Sequence, residues 1–226
     1  MRNSSPRLFS IASALITIVI CITLFSWYRG SKEKKEFIEA VTAGNLQKVE
    51  EMLVKSPSLV NSKNKEGRTA LTVAVWKRDL EMMKLLLEHK ADVNVRDSGT
   101  RGFMPLHWAA SGGYLDCVEL LLANNADVHA RTYAGWCSLY YALRLDGTSP
   151  MNKEMAELLL SHHADVNVKY EGGKTLLHFA AMKTRSEAVK WLLSKGADRT
   201  AKTDKGETPL DYATKWGTPE IVSILQ

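Results

Sequence analysis

A few residues in this 226-residue chain are of types that could do chemistry. Gly172-Gly-Lys-Thr175 ends like a loop whose glycine amides and lysine would hold a nucleotide's phosphates. That motif needs an earlier glycine at 168, where Val168 stands, so a turn explains Gly173 and Thr175 better. His162 and His163 are metal-ligand types, but they are adjacent, with no Cys or His at ligand spacing beside them. Cys117 and Cys137 form no paired motif, and Cys21 lies in an apolar run. Free thiols are expected, and they sit more easily in a reducing compartment. Asp92, Asp127, Asp165 and Asp198 recur as punctuation, which is not how an acid–base pair is built. No constellation supports catalysis, so the expectation is a non-enzyme with no cofactor and no metal site.

The spacing of these residues points to the elements that carry them. Each recurring Asp closes a similar segment: Leu85-Leu-Leu-Glu-His-Lys-Ala-Asp92, Leu120-Leu-Leu-Ala-Asn-Asn-Ala-Asp127, Leu158-Leu-Leu-Ser-His-His-Ala-Asp165 and Trp191-Leu-Leu-Ser-Lys-Gly-Ala-Asp198. The Ala-Asp steps are 35, 38 and 33 residues. A second landmark keeps the same phase, beginning at Gly67, Gly102, Gly135, Gly173 and Gly206; its clearest forms are Gly102-Phe-Met-Pro-Leu-His-Trp-Ala109 and Gly173-Lys-Thr-Leu-Leu-His-Phe-Ala180. An apolar stripe on each of two short helices per period cannot be buried by one pair alone, so neighbouring pairs must stack. The turn glycines suit unusual backbone angles, and Thr69, Thr175 and Thr208 suit N-caps.

With these residues the chain resembles the ankyrin-repeat family, whose unit of about 33 residues carries a Thr-Pro-Leu-His-x-Ala signature. The resemblance implies an all-α solenoid of stacked helix-turn-helix units joined by β-turns over 35–226. The expected units are 35–65 (degenerate), 66–98, 99–131, 132–169, 170–202 and 203–226. Two insertions stand out: two extra residues in Ser98-Gly-Thr-Arg101, and about five between Leu143 and Lys153, around Asp146-Gly-Thr-Ser-Pro150. His107 and His178 fall at the signature position, for which the family implies a structural hydrogen bond between turns. The family further implies protein binding on a concave face of turn tips and first helices. By position that face takes Arg68 and Trp76, then Thr100, Arg101 and Phe103. Next come Tyr133, Trp136, Arg144 and Leu145, followed by Lys174 and Met182, and finally Trp216. Phe103 and Trp136 follow the turn Gly where other units have Arg68, Lys174 or Glu207, which suggests an aromatic cluster interleaved with arginines, as at interface anchors. Local packing of the same rings is the alternative. Trp108, Tyr141, Phe179 and Tyr212 are assigned to packing between units.

The N-terminus differs from the rest. Leu8 to Tyr28 contains no charge, Gly or Pro, and as a helix these 21 residues span about 31 Å, close to a hydrocarbon core. Residues 1–7 are then a short tail, 8–28 a transmembrane helix in contact with the bilayer, and 29–34 a basic juxtamembrane linker. A cleaved export signal is the competing reading, although no small-x-small cleavage site follows the run. Four Lys/Arg after the run, against two before it, favour a cytoplasmic body; export remains the alternative. Residues 1–36 carry six Lys/Arg against two Glu, and 37–226 carry 24 against 23 Asp/Glu, so the net charge of +5 comes mostly from the N-terminus. The expected partner is therefore a protein, not nucleic acid or a small-molecule substrate, and the body is expected to be a monomer unless the anchor associates.

Overall fold

The computed structural model describes residues 28, 30–99, 101–145, 147 and 150–226. Nearly all of the expected membrane segment, the 1–7 tail, and Thr100, Asp146, Thr148 and Ser149 of the two long loops lie outside these residues. No helix among the described residues is long and apolar enough to cross a membrane.

Helices come in pairs. The first pair is α1 (30–43) and α2 (Leu46–Lys55). Then follow α3 (Ala70–Lys77) with α4 (Leu80–Glu88), and α5 (Pro105–Gly112) with α6 (Leu115–Ala123). The remaining pairs are α7 (Ser138–Ala142) with α8 (Lys153–Ser161), α9 (Leu176–Met182) with α10 (Ser186–Ser194), and α11 (Pro209–Trp216) with α12 (Pro219–Leu225). First helices pack beside first helices and second beside second, as in α3–α5–α7 and α4–α6–α8. Residues 30–34, expected as a linker, instead belong to α1. Glu33 accepts a hydrogen bond from Ser56 Oγ at 2.7 Å, and Glu36 pairs with Lys48 at 2.7 Å, which clamps α1 to α2.

The stacking buries the repeated leucines. Leu71, Leu106, Leu139 and Leu177 are fully buried, whereas Leu210 of α11 is half-buried because no first helix covers its far side among the described residues. In each apolar triplet of the second helices the central residue is fully buried, as Leu86, Leu121, Leu159 and Leu192, while most of the flanking residues are half-exposed. That is the helical period: only one side of the triplet faces the stack.

Short polar side chains set the ends of the helices. Thr69 and Thr208 accept the N–H of Thr72 and Asp211. Thr175 departs from this, its hydroxyl lying 3.0 Å from His178 Nδ1. After α4, α6, α8 and α10, the carboxylates of Asp92, Asp127, Asp165 and Asp198 accept the N–H two residues on, at 2.7–2.9 Å, which explains their recurrence as turn chemistry. An asparagine in that turn also reaches the next unit. Asn61, Asn94 and Asn167 accept the N–H of Asp92, Asp127 and Asp198.

A second bridge starts from the third residue of the first helix. His107 Nδ1 accepts the Met104 N–H at 3.2 Å, so its Nε2 carries the proton and donates to the Ala130 carbonyl at 3.0 Å. His178 repeats this between the Thr175 N–H and the Glu207 carbonyl. Thr72 does the same job through Asp97 Oδ1 at 3.0 Å. Tyr140 holds this position in α7, and the junction to α9 is filled by rings: Trp136 stacks on Tyr140 at 4.1 Å, and Phe179 lies 4.9 Å from Trp136 and 5.3 Å from Tyr170.

Burial pushes His107 down from an ordinary 6.5 to about 4 and lowers His178 as well. Below about pH 6.5 the unfolded chain takes up a proton that folded His107 refuses until about pH 4. This contribution is therefore complete above pH 6.5 and lost as pH falls through that window. Urea unfolding should show His107 costing about 2–3 kcal/mol of stability between pH 7 and pH 4. His107→Ala should be less stable at pH 7 but should lose less on acidification; parallel pH profiles would contradict the assignment.

Candidate protein-binding face

The segments before the first helices fold into five fingers, 63–68, 96–103, 131–136, 169–174 and 202–207. In four of them one backbone bond closes the finger: Asn64 N–H to Arg68 O, Thr132 to Trp136, Tyr170 to Lys174, and Thr203 to Glu207, at 2.8–2.9 Å. The finger with two extra residues closes by Asp97 N–H to Phe103 O. Asn64, Thr132 and Thr203 side chains accept further N–H groups inside their fingers, which makes these loops rigid. Neighbouring fingers are bonded too: Ser98 N–H to Gly67 O, Tyr133 to Arg101 O, and Asp204 to Gly172 O, at 3.0 Å each. Gly67 has φ +76°, and a Cβ there would come within 2.7 Å of Ser98, so glycine is what permits this approach.

One polar node lies behind the first two of these fingers. Asp97 is buried and accepts from Thr72 Oγ1 and from Trp108 Nε1 at 2.6 Å. Burial raises its carboxyl above the usual range, against the pull of those two donors. The Arg68 guanidinium lies above the same Trp108 ring at 5.0 Å and above Trp76 at 5.6 Å. Arg68, Trp76 and Trp108 thus form one cation–aromatic site, with Trp76 53% exposed.

The expected site residues divide by exposure. Tyr133 is 63% exposed, with its ring seated on Gly102 and 5.3 Å from the Arg96 guanidinium. Trp216 is 44% exposed, with Lys215 Nζ 4.3 Å from its ring. Arg101 is exposed and Lys174 half-exposed, each on a finger. Trp136 and Met182 are half-buried and pack on the core.

Two expectations are corrected. Phe103 is only 3% exposed, held by Trp108 at 5.0 Å and Tyr141 at 5.3 Å, so it is a core ring rather than an anchor for a partner. Arg144 is half-exposed and held at one nitrogen, its Nη1 donating to the Ser111 carbonyl at 2.6 Å at the end of α5, and Leu145 beside it is fully buried, so only Leu145 joins Phe103 as a core residue. Thr100 lies outside the described residues.

Trp108 and Arg96 are contributors that the sequence reading did not place in the site. A basic residue at one phase of every finger (Lys63, Arg96, Arg131, Lys169, Lys202) was the available signal for the second. The remaining candidates occupy ordinary structural places. His162 and His163 are exposed at the end of α8, and Gly172 and Gly173 sit in a finger. Cys117 and Cys137 are buried free thiols, and burial pushes Cys117 up to about 12, far from a reactive thiolate.

Stacked helix pairs, bonded fingers and the His bridge define a repeat protein with one exposed ring on a finger, Tyr133, and two toward the ends of first helices, Trp76 and Trp216. A family profile for ankyrin repeats, in three copies, matches residues 31–97, 97–170 and 139–226. The chain belongs to the ankyrin-repeat family. It is similar to neurogenic locus notch homolog protein 1 of Cricetulus griseus, 34% identical over 80% of this chain and 7% of that protein. The Homo sapiens protein of that name is 33% identical over 81% of this chain and 7% of its own length. SH3 and multiple ankyrin repeat domains protein 2 of Homo sapiens is 31% identical over 72% and 8%. The chain therefore spans under a tenth of the length of these relatives.

The burial difference yields a stability test. Phe103→Ala should cost about 3–5 kcal/mol in urea unfolding, and Trp76→Ala less than about 1 kcal/mol. Equal costs would contradict the placement of the two rings.

Proposed function

We propose that this chain is a non-enzymatic binding module that captures a protein partner on its fingers and the exposed ends of its first helices, while residues 8–28 tether it to a membrane. Ankyrin repeats are protein-interaction modules, and this much carries over from the family. The observation that carries the finer reading is the exposure of Trp76, Tyr133 and Trp216, each beside a cation, on a scaffold that buries most of its other large rings. Exposed aromatics beside Lys or Arg make effective anchors because they bury large area at low cost in side-chain freedom. Mechanistically the array recognises by rigid complementarity and confines its partner to the bilayer surface.

The tether reading draws on the apolar run and on α1. That helix is described from residue 30, two residues after Tyr28, and is clamped to α2 through Glu33 and Glu36. Four Lys/Arg after the run favour a cytoplasmic body.

Fractionation of cells expressing the full chain with a C-terminal reporter tests the tether. A carbonate-resistant band with its body accessible only from the cytoplasm is the expected result. A shortened soluble product outside the cytoplasm would instead make residues 1–30 a removed signal. Proximity labelling should then recover a partner that Trp76→Ala captures at least about fivefold less well without loss of fold; undiminished capture by a triple Trp76→Ala, Tyr133→Ala and Trp216→Ala variant would refute this face as the binding surface.

A further inference from the structure

We infer that the fingers dock an extended acidic segment of the partner, with carboxylates on about every third residue. This rests on the protein-binding reading and names the chemistry that the face takes. The charge distribution comes first. Residues 63–68, 96–101, 131–136, 169–174 and 202–207 hold ten Lys/Arg against five Asp/Glu, and one of the five is the buried Asp97. The rest of 37–226 holds 14 Lys/Arg against 18 Asp/Glu. A body that is nearly neutral as a whole is therefore polarised, positive along the fingers and negative over the helices.

The finger cations are also unspent. Ion pairs among the described residues lie on the helices or at their ends, such as Arg78–Asp116, Lys195–Glu157 and Lys190–Glu220. None of them uses a finger Lys or Arg. Three of the ten reach the next finger, mainly its backbone. Lys63 Nζ donates to the Arg96 carbonyl and to Ser98 Oγ, Arg96 Nη1 to the Arg131 carbonyl, and Arg131 Nη1 to the Lys169 carbonyl. These three are stapled to the next finger without being neutralised, and an arginine retains further N–H donors for a ligand carboxylate.

Spacing selects the ligand. Where first helices pack side by side, as in α3–α5–α7 and α9–α11, successive fingers lie about 10 Å apart. An extended chain advances about 3.3 Å per residue, so every third side chain meets a finger. Duplex nucleic acid carries a charge about every 1.7 Å of its axis, far denser than the net of about one positive charge per finger here. Glu66, Glu171, Asp204 and Glu207, interleaved with the cations, would also repel a continuous anionic surface such as a bilayer. A peptide can place its carboxylates between them and its apolar residues on Tyr133 and Trp76.

The test uses the full chain in zwitterionic detergent and a labelled peptide of about 15 residues with Glu at every third position, read by fluorescence anisotropy. Lys65→Glu with Arg101→Glu should weaken binding about tenfold, while Lys55→Glu with Lys153→Glu, the same charge change on second helices, should stay within about twofold. Replacing Glu by Gln in the peptide should cost as much as the finger pair. Equal loss in the two double variants would overturn the inference. So would an unbound peptide, or finger-dependent binding of duplex DNA or phosphatidylserine vesicles in its place. If the finger pair leaves capture of the intact partner unchanged while Trp76→Ala removes it, the acidic segment is refuted and the protein-binding reading stands.

Discussion

In α3, α5 and α9 the third residue of the helix decides how one unit meets the next. His107 and His178 each grip an N–H at the start of their own helix with one ring nitrogen and donate the other to a carbonyl in the following finger. Thr72 reaches Asp97 for the same purpose. A single helix pair exposes as much apolar surface as it covers, so its stability comes from its neighbours. A directional bond from helix to next finger fixes the rotation and step between units, the register in which Leu71, Leu106, Leu139 and Leu177 are buried. The neutral imidazole is part of this arrangement, since a protonated ring could not accept the backbone N–H.

From this constraint follows the shape of the exposed chemistry. Fingers closed by their own backbone bonds and tied to their neighbours have little freedom to lose on binding, which favours recognition by fixed complementarity. The cations at their bases are used twice, once as staples and once as charge. The aromatic side chains divide by the same logic. Those that point between units, such as Phe103, Tyr141 and Phe179, hold the stack; those at the margin, Trp76, Tyr133 and Trp216, are left exposed beside Lys or Arg. At the α7–α9 junction, rings take up more of the contact between units than elsewhere, beside the longest insertion in the array.

Much of the fold was legible because the repeat fixes phase. The apolar triplets marked the second helices, the turn glycines marked the fingers, and the recurring Asp residues marked the turns between them. Phase does not say how a side chain is covered, however. Phe103 and Trp136 share a register that is polar in other units, yet one is sealed by Trp108 and Tyr141 and the other is half-open over Tyr140. The bond that holds Arg144 to the Ser111 carbonyl reaches back 33 positions, which spacing does not reveal. Residues 30–34 read as a linker from their charges, although Glu33 and Glu36 are what dock α1 on α2.

The proposed partner face is the fingers with the adjoining ends of the first helices, and not the second-helix back of the array. Photo-crosslinking in cells expressing the full chain measures this directly, with a benzophenone amino acid placed singly at Tyr133, at Trp76, or at Glu119 on the exposed side of α6. The account predicts one partner adduct, of the same mass, from Tyr133 and Trp76, and none from Glu119. An adduct formed through Glu119 alone would place the partner on the opposite face and contradict it.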